Sequence, residues 1–236
     1  MDIKTIDREK INYYSHESTI EDHAKAFFFP ESKAREDKFI KLILQNIPIG
    51  NNGRILDLGC GIGGYAHLFK NNKLDVTAID FSLPMCLFAN KMLNIKCSVS
   101  NVAAIPFKDN IFKFVSAIGL TILEQNVYSF EYKEKVINEI KRVMKDNSFL
   151  ILSIPNKDSV LNRVTSKSRT VLDTEILVKW LKMKNVIFNS EFVYGLPVRL
   201  IGLFYKIRFL KSLLSRISKS KYIGMRRVLI FKVDAK

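Results

Sequence analysis

The 236-residue sequence predicts an α/β fold, with a mostly parallel sheet and helices on both faces. Three observations predict it. Short apolar runs alternate with segments of three- and four-residue apolar spacing. A cluster of glycines falls between the first such run and the helical segment after it. An aspartate closes the second run.

Residues 1–48 read as a helical segment that lids the rest, rich in rings: Tyr13, Tyr14, His16, His23 and Phe27-Phe28-Phe29-Pro30. Within it Phe39, Ile40, Ile43, Leu44 and Ile47 recur at helical spacing, giving a helix over 33–47 with Ser32 as its N-cap. Pro48, Gly50 and Gly53 then punctuate the chain. The core domain is expected over 49–195. Its strands are 55–58, 76–80, 95–99, 114–118 and 149–154, the last ended by Pro155. Helices follow the glycines to about Lys70, then cover 83–93 and the face marked by Val136, Ile140, Val143 and Met144. A helix over 174–184 and a strand over 186–193 follow, and a last strand covers 228–233 in a terminal piece set at 227–236. Neither an internal repeat nor a low-complexity segment interrupts this order.

At 47% hydrophobic residues the chain can bury one sizeable core. The three cysteines, Cys60, Cys86 and Cys97, include no CxxC pair, so neither a disulfide framework nor a zinc site is expected. That fits a reducing cytoplasm. The first residues carry no continuous apolar run, so no signal peptide is expected. No uncharged apolar stretch is long enough for a transmembrane helix. The formal net charge of +15 bears on partners rather than on fold.

The run Ile55-Leu56-Asp57-Leu58-Gly59-Cys60-Gly61-Ile62-Gly63-Gly64 lies between the first strand and its helix. Glycine there lets a ligand approach the backbone, and the following helix offers unpaired N–H groups to an anionic group. Asp80 stands at the tip of the second strand, 17 residues after Gly63. A carboxylate so placed can accept both hydroxyls of a ribose. The pair points to an adenosine-containing cofactor. The same glycines match the GxGxxG dinucleotide fingerprint, which makes an NAD-dependent oxidoreductase a rival. Two features count against it. Asp57 would sit close to a pyrophosphate, and some 55 residues precede the loop, whereas that fingerprint usually opens its domain.

On these residues the chain resembles class I S-adenosylmethionine-dependent methyltransferases, most closely the broad group that includes ubiquinone and menaquinone biosynthesis methyltransferases. The resemblance runs from Ile55 to Asn156 and more weakly beyond. Residues 55–64 match the first motif, VTAIDFS at 76–82 the second, and SVSNVAAIPF at 98–107 the third in its Ile-Pro-Phe ending. Residues 137–156 match the helix and fifth strand. The resemblance implies a Rossmann-like seven-stranded sheet with an antiparallel last strand. It also implies S-adenosyl-L-methionine as methyl donor, its methionine carboxylate at the helix N-terminus. The implied cofactor-binding residues are Asp57, Gly59, Cys60, Gly61, Gly63, Asp80, Phe81, Ser82, Met85, Asn101, Val102 and Ile118.

The sequence departs from the family at two places. Asn101 stands where an aspartate usually meets the adenine amine; its carbonyl can still accept from that amine. Asp146-Asn147 replaces two glycines before the fifth strand, and asparagine tolerates the left-handed turn.

The donor methyl is already activated, so the protein's main task is alignment. Oxygen attack also needs a proton acceptor. Glu124, after the fourth strand, and His23, in the lid, are the catalytic candidates, with His16, Tyr13 and Tyr14 behind them. His67 reads as structural, and the three histidines share no metal-ligand spacing. After the fourth strand AIGLTI replaces the Asn/Asp-Pro-Pro-Tyr type of motif, which argues against amino methylation of DNA. No cysteine follows a proline, which argues against cytosine C5 chemistry.

From Phe192 to Val233 there are ten basic residues and no acidic one. Within this span Leu200, Leu203, Phe204, Ile207, Leu210, Leu214 and Ile217 fall at helical spacing. A basic amphipathic insertion over 196–226 is expected. Its stripe packs on the domain, or meets an anionic membrane surface through 199–227, or roofs an apolar substrate site. Nucleic acid is the weaker reading, since few rings interleave with the charges. The expected function is methyl transfer to a small-molecule or lipid-like acceptor, in a cytoplasmic protein peripheral to a membrane. An RNA-modifying methyltransferase and a non-catalytic S-adenosylmethionine-binding protein are the alternatives beside the oxidoreductase.

Overall fold

The computed structural model describes residues 12–14, 16–48, 53–125, 127–159, 173–183, 186–194 and 225–233. Two lid helices, α1 (Glu17–Phe28) and α2 (Pro30–Gln45), precede the first strand. The core then runs β1 (Arg54–Leu58), α3 (Gly64–Asn71), β2 (Asp75–Asp80), α4 (Leu83–Leu93), β3 (Lys96–Val99) and β4 (Phe112–Ile118). It continues α5 (Thr121–Glu124), α6 (Phe130–Val143), β5 (Met144–Pro155), α7 (Thr174–Met183), β6 (Val186–Tyr194) and β7 (Arg226–Val233).

The seven strands form one sheet in the order β3-β2-β1-β4-β5-β7-β6. The first five pair in parallel, and β7 runs antiparallel to both β5 and β6. The order reverses between β1 and β4, which opens a crevice at the carboxyl ends of the strands. The sheet is apolar on both sides, so adjacent β1 residues serve different cores. Leu56 and Leu58 pack with Val136, Ile137, Ile140, Leu177 and Leu181 from α6 and α7. Ile55 packs with Phe39, Ile40, Ile43, Leu68, Phe69 and Ala89 from α2, α3 and α4.

Two sequence expectations give way here. Ser32 does not cap its helix: Phe29 is the N-cap and Pro30 opens the first turn, where its missing N–H costs nothing. Ser32 is instead buried inside α2, its Oγ without a hydrogen-bond partner. Met144 opens β5 rather than closing the α6 face. Asn147 takes the left-handed conformation expected of it, at φ 53°. The expected basic insertion lies outside the described residues apart from its end, where Arg226 begins β7. No helix among the described residues is long and apolar enough to cross a membrane.

Candidate functional site

A cavity of about 340 Å³ opens at the strand-order reversal. Four strand ends build it. Gly59, Cys60 and Gly61 follow β1, Asp80 and Phe81 close β2, Ser100, Asn101 and Val102 follow β3, and Gly119 to Ile122 follow β4. Tyr14, His23 and Phe27 come from the lid, and Tyr128 and Tyr132 from the start of α6.

The glycine loop is folded back onto β2. The N–H groups of Gly59 and Cys60 both donate to the Ile79 carbonyl, at 2.9 and 3.1 Å. Gly61 has φ 54°, and a Cβ there would meet nothing within 4 Å, so its exposed face is open to a ligand. Gly63 has a packing reason as well. It also has a positive φ, and a Cβ would lie 2.8 Å from Ala89 Cβ, so glycine brings α3 against α4. At Gly64 a Cβ would stand 2.7 Å from the Phe27 ring, so the lid rests directly on the N-terminus of α3.

Asp80 is 5% exposed and organises the crevice. Its Oδ2 accepts from Gly61 N–H at 2.8 Å and its Oδ1 from Ser82 N–H at 2.9 Å. Burial raises its carboxyl above the ordinary range, and the backbone N–H groups of Ser82, Gly61 and Phe81 pull the other way. A carboxylate offers about four acceptor directions, so it can still accept from a ribose hydroxyl beside its backbone donors. The residues therefore fit an adenosyl ligand: Asp80 for the ribose and the open Gly61 face for the methionine portion.

Asp57 lies behind this wall, not on it. It is 2% exposed, and its Oδ2 has no hydrogen-bond partner. Burial pushes its carboxyl up to about 7; Asp80 adds to the rise, while Ser116 and the Ala66 backbone oppose it. Ser82 also stands behind the wall. It caps α4 by accepting from Met85 N–H at 3.4 Å, and its Oγ donates to the Tyr14 carbonyl at 2.9 Å, which moors the lid.

Of the residues expected on the cofactor, Gly59, Cys60, Gly61, Asp80, Phe81, Met85, Asn101, Val102 and Ile118 line the cavity. Asp57, Gly63 and Ser82 support it from behind. Asn101 differs from expectation in detail. Its Oδ1 already accepts from Ala103 N–H at 2.8 Å and from Tyr132 Oη–H at 3.3 Å. Both lone pairs of that carbonyl are thus engaged within the protein, so the expected bond from an adenine amine has no open acceptor there.

Glu124 is placed differently from the expected proton acceptor. It is off the cavity lining and 6% exposed, and its Oε1 accepts from Arg226 Nη2 at 2.6 Å. Arg226 also bonds the Ser153 hydroxyl and carbonyl, which ties α5 to β5 and β7. His23 does line the cavity, with its ring 5.8 Å from that of Tyr14. Sequence reasoning missed the far wall: Phe27, Tyr65, Tyr128 and Tyr132. Only the ring-rich lid sequence hinted at it. Tyr65 is fixed by its hydroxyl donating to Glu36 Oε2 at 3.0 Å, and burial raises its phenol far above the ordinary range.

Comparison with known proteins agrees with this geometry. Residues 56–152 match the family described as a methyltransferase domain. An uncharacterized protein of Methanocaldococcus jannaschii is 31% identical over 164 residues, covering 67% of this chain and 66% of that protein. The chain thus spans just under two thirds of that relative's length. A SAM-dependent methyltransferase of Thermotoga maritima superposes with a TM-score of 0.63 at 18% identity, over 94% of this chain and 99% of its own. The [4+2]-cyclase SpnF superposes at 0.60 and 16% identity, over 85% of this chain and 82% of its own. At such identities the likeness is one of fold, and a fold hosts more than one chemistry.

Proposed function

We propose that this chain, whose residues 56–152 match a methyltransferase domain, is a class I S-adenosylmethionine-dependent enzyme that transfers a methyl group to a small, uncharged, largely apolar acceptor. One observation carries the choice of acceptor. Among the described residues the cavity is lined by the rings of Tyr14, Phe27, Tyr65, Phe81, Tyr128 and Tyr132, and by no Lys or Arg. Among the described residues Asp80 is the only carboxylate on it. Among the described residues the lining offers a phosphate-bearing acceptor such as RNA no cation, while a planar or lipid-like acceptor finds ring faces.

S-adenosylmethionine, when bound, supplies a methyl group already activated on a sulfonium. The chain's own residues align and shield. Asp80 and the Gly61 face hold the donor, the ring wall orients the acceptor, and the Phe27 and Tyr14 contacts of the lid exclude water. A protic acceptor needs a proton acceptor, and His23 is the only imidazole on the lining among the described residues. Phe27, seated on Gly64, covers the helix N-terminus, where a dinucleotide pyrophosphate and the methionine carboxylate of the sequence expectation would both dock, so this contact does not separate the two cofactors. A cytoplasmic location, with residues 199–227 against an anionic membrane, belongs to the same proposal; co-sedimentation with anionic and neutral vesicles tests the membrane part.

Calorimetric titration with S-adenosylmethionine, S-adenosylhomocysteine and NAD tests the donor. Binding of the adenosyl pair, lost in Asp80→Ala, is expected; NAD binding alone overturns the reading. A turnover screen then compares uncharged aromatic and isoprenoid acceptors with RNA. Donor binding without turnover of any acceptor leaves a non-catalytic binding protein. His23→Ala is expected to lower kcat while donor affinity stays unchanged.

A further inference from the structure

The chain's three cysteines, far apart in sequence, meet at one point beside the cavity. Cys60 Sγ lies 3.3 Å from Cys97 Sγ, and Cys97 Sγ lies 2.9 Å from Cys86 Sγ. They come from three elements: the glycine loop, the edge strand β3 and the helix α4. The Asn90 side chain fixes the backbone of Cys97, donating to its carbonyl at 2.9 Å and accepting from its N–H at 3.2 Å. Cys60 and Cys97 are half-buried, and Cys60 lines the cavity; Cys86 is buried at 2% exposure. The cavity thus gives a small oxidant a path to Cys60, with a second thiol in contact behind it.

We propose that Cys60 and Cys97 are a reversible thiol modification site, closed to a disulfide by a peroxide. Cys60 first gives up its proton, its thiolate attacks the peroxide, that proton leaves in the first water, and a sulfenic acid forms. The Cys97 sulfur then displaces the hydroxyl of that sulfenic acid, giving the S–S bond and a second water. Two S–H bonds are lost, one S–S bond forms, and the peroxide O–O bond takes both electrons. Bonding brings the two sulfurs from 3.3 Å to about 2.05 Å, which draws the Cys60 side chain toward β3. The Cys60 loop holds Gly59 and Gly61 against the ligand, so the bond loosens the adenosyl site; this consequence rests on the function proposed above.

The reduced state is well held. Although a hydrogen bond from Cys97 lowers it, burial and the Asp57 and Asp80 carboxyls leave the Cys60 thiol raised. The contact with Cys60 is the main cause of the rise at Cys97. The attacking thiolate is therefore a small fraction at neutral pH, and the oxidation quickens as pH rises.

The test treats the full chain with hydrogen peroxide, then measures free thiols, intact mass, linked peptides and S-adenosylmethionine affinity, before and after dithiothreitol. Free thiols are expected to fall from three to one, with Cys60 and Cys97 linked and Cys86 free. Affinity falls by about tenfold and returns on reduction. Cys97→Ser binds the ligand as the parent does and stops at the Cys60 sulfenic acid without forming a disulfide; Cys60→Ser forms no Cys60–Cys97 link. Three persistent thiols, a sulfinic-acid mass increment, or a link between Cys86 and Cys97 overturns the site. A Cys60–Cys97 link with unchanged affinity overturns its coupling to the ligand. If the reduced chain binds no adenosyl ligand, the proposed function fails, while peptide mapping still decides the disulfide.

Discussion

Single residues in the glycine loop do different work, and substitutions separate them. Gly61→Ala meets open space, so its stability cost is the left-handed backbone alone, about 1 kcal/mol. Its larger effect is on the ligand, whose approach the new methyl group blocks; calorimetry reads the lost affinity. Gly63→Ala adds the clash with Ala89 to the same backbone strain, so its loss of stability is about 2–4 kcal/mol by denaturant unfolding. Asp57 gives a pH dependence. Its folded carboxyl titrates near 7, above its ordinary value of 3.8. The folded state therefore keeps a proton that the unfolded state loses between those values, and stability falls as pH rises through that window. Asp57→Asn removes the decline. The variant is expected to match the parent near pH 4 and exceed it above pH 7 by on the order of 2–4 kcal/mol. A parent whose stability rises over that window would contradict the buried carboxyl.

At the scale of elements, one arginine latches a cavity wall. Arg142, near the end of α6, donates to the carbonyls of Ile105 and Phe107 and pairs with Asp109 and Glu139. Glu139 in turn accepts from Ile105 N–H at 2.8 Å. This fork is why the Ile-Pro-Phe segment sits where it does, and it holds the preceding Ser100 to Val102 against the cavity. Lysine cannot make the fork. Arg142→Lys is expected to lower stability by about 1–2 kcal/mol and to weaken donor binding; hydrogen exchange over 100–110 reads the loosened segment. The lid is a second such element, resting on Phe27 over Gly64 and on the bond from Ser82 to Tyr14. Phe27→Ala opens that contact, and a lower donor affinity with a raised off-rate is the expected result.

Across the whole molecule, the ion pair of buried Glu124 and half-buried Arg226 ties the crevice to the sheet's antiparallel side. Arg226→Met leaves a buried carboxylate without its partner, at about 2–4 kcal/mol. Glu124→Gln is expected to lower Tm while turnover per folded molecule stays close to the parent's. A selective collapse of kcat with Tm unchanged would return Glu124 to a catalytic role.

Much of this architecture was legible in the sequence because it is written in local patterns. Apolar runs and their spacing placed the strands and the core helices, since a buried sheet and an amphipathic helix each impose their own period. The glycines and Asp80 declared a ligand crevice, because backbone approach and a strand-end carboxylate need those residues at those positions. Tertiary structure alone decided what the long-range contacts do. It paired Glu124 with an arginine 102 positions away, engaged the carbonyl of Asn101 within the protein, walled the cavity with rings from the lid and α6, and brought three unpatterned cysteines together. The physical reason is that hydrogen bonds, ion pairs and thiol contacts depend on distances in space, and no spacing along the chain encodes a distance between different elements.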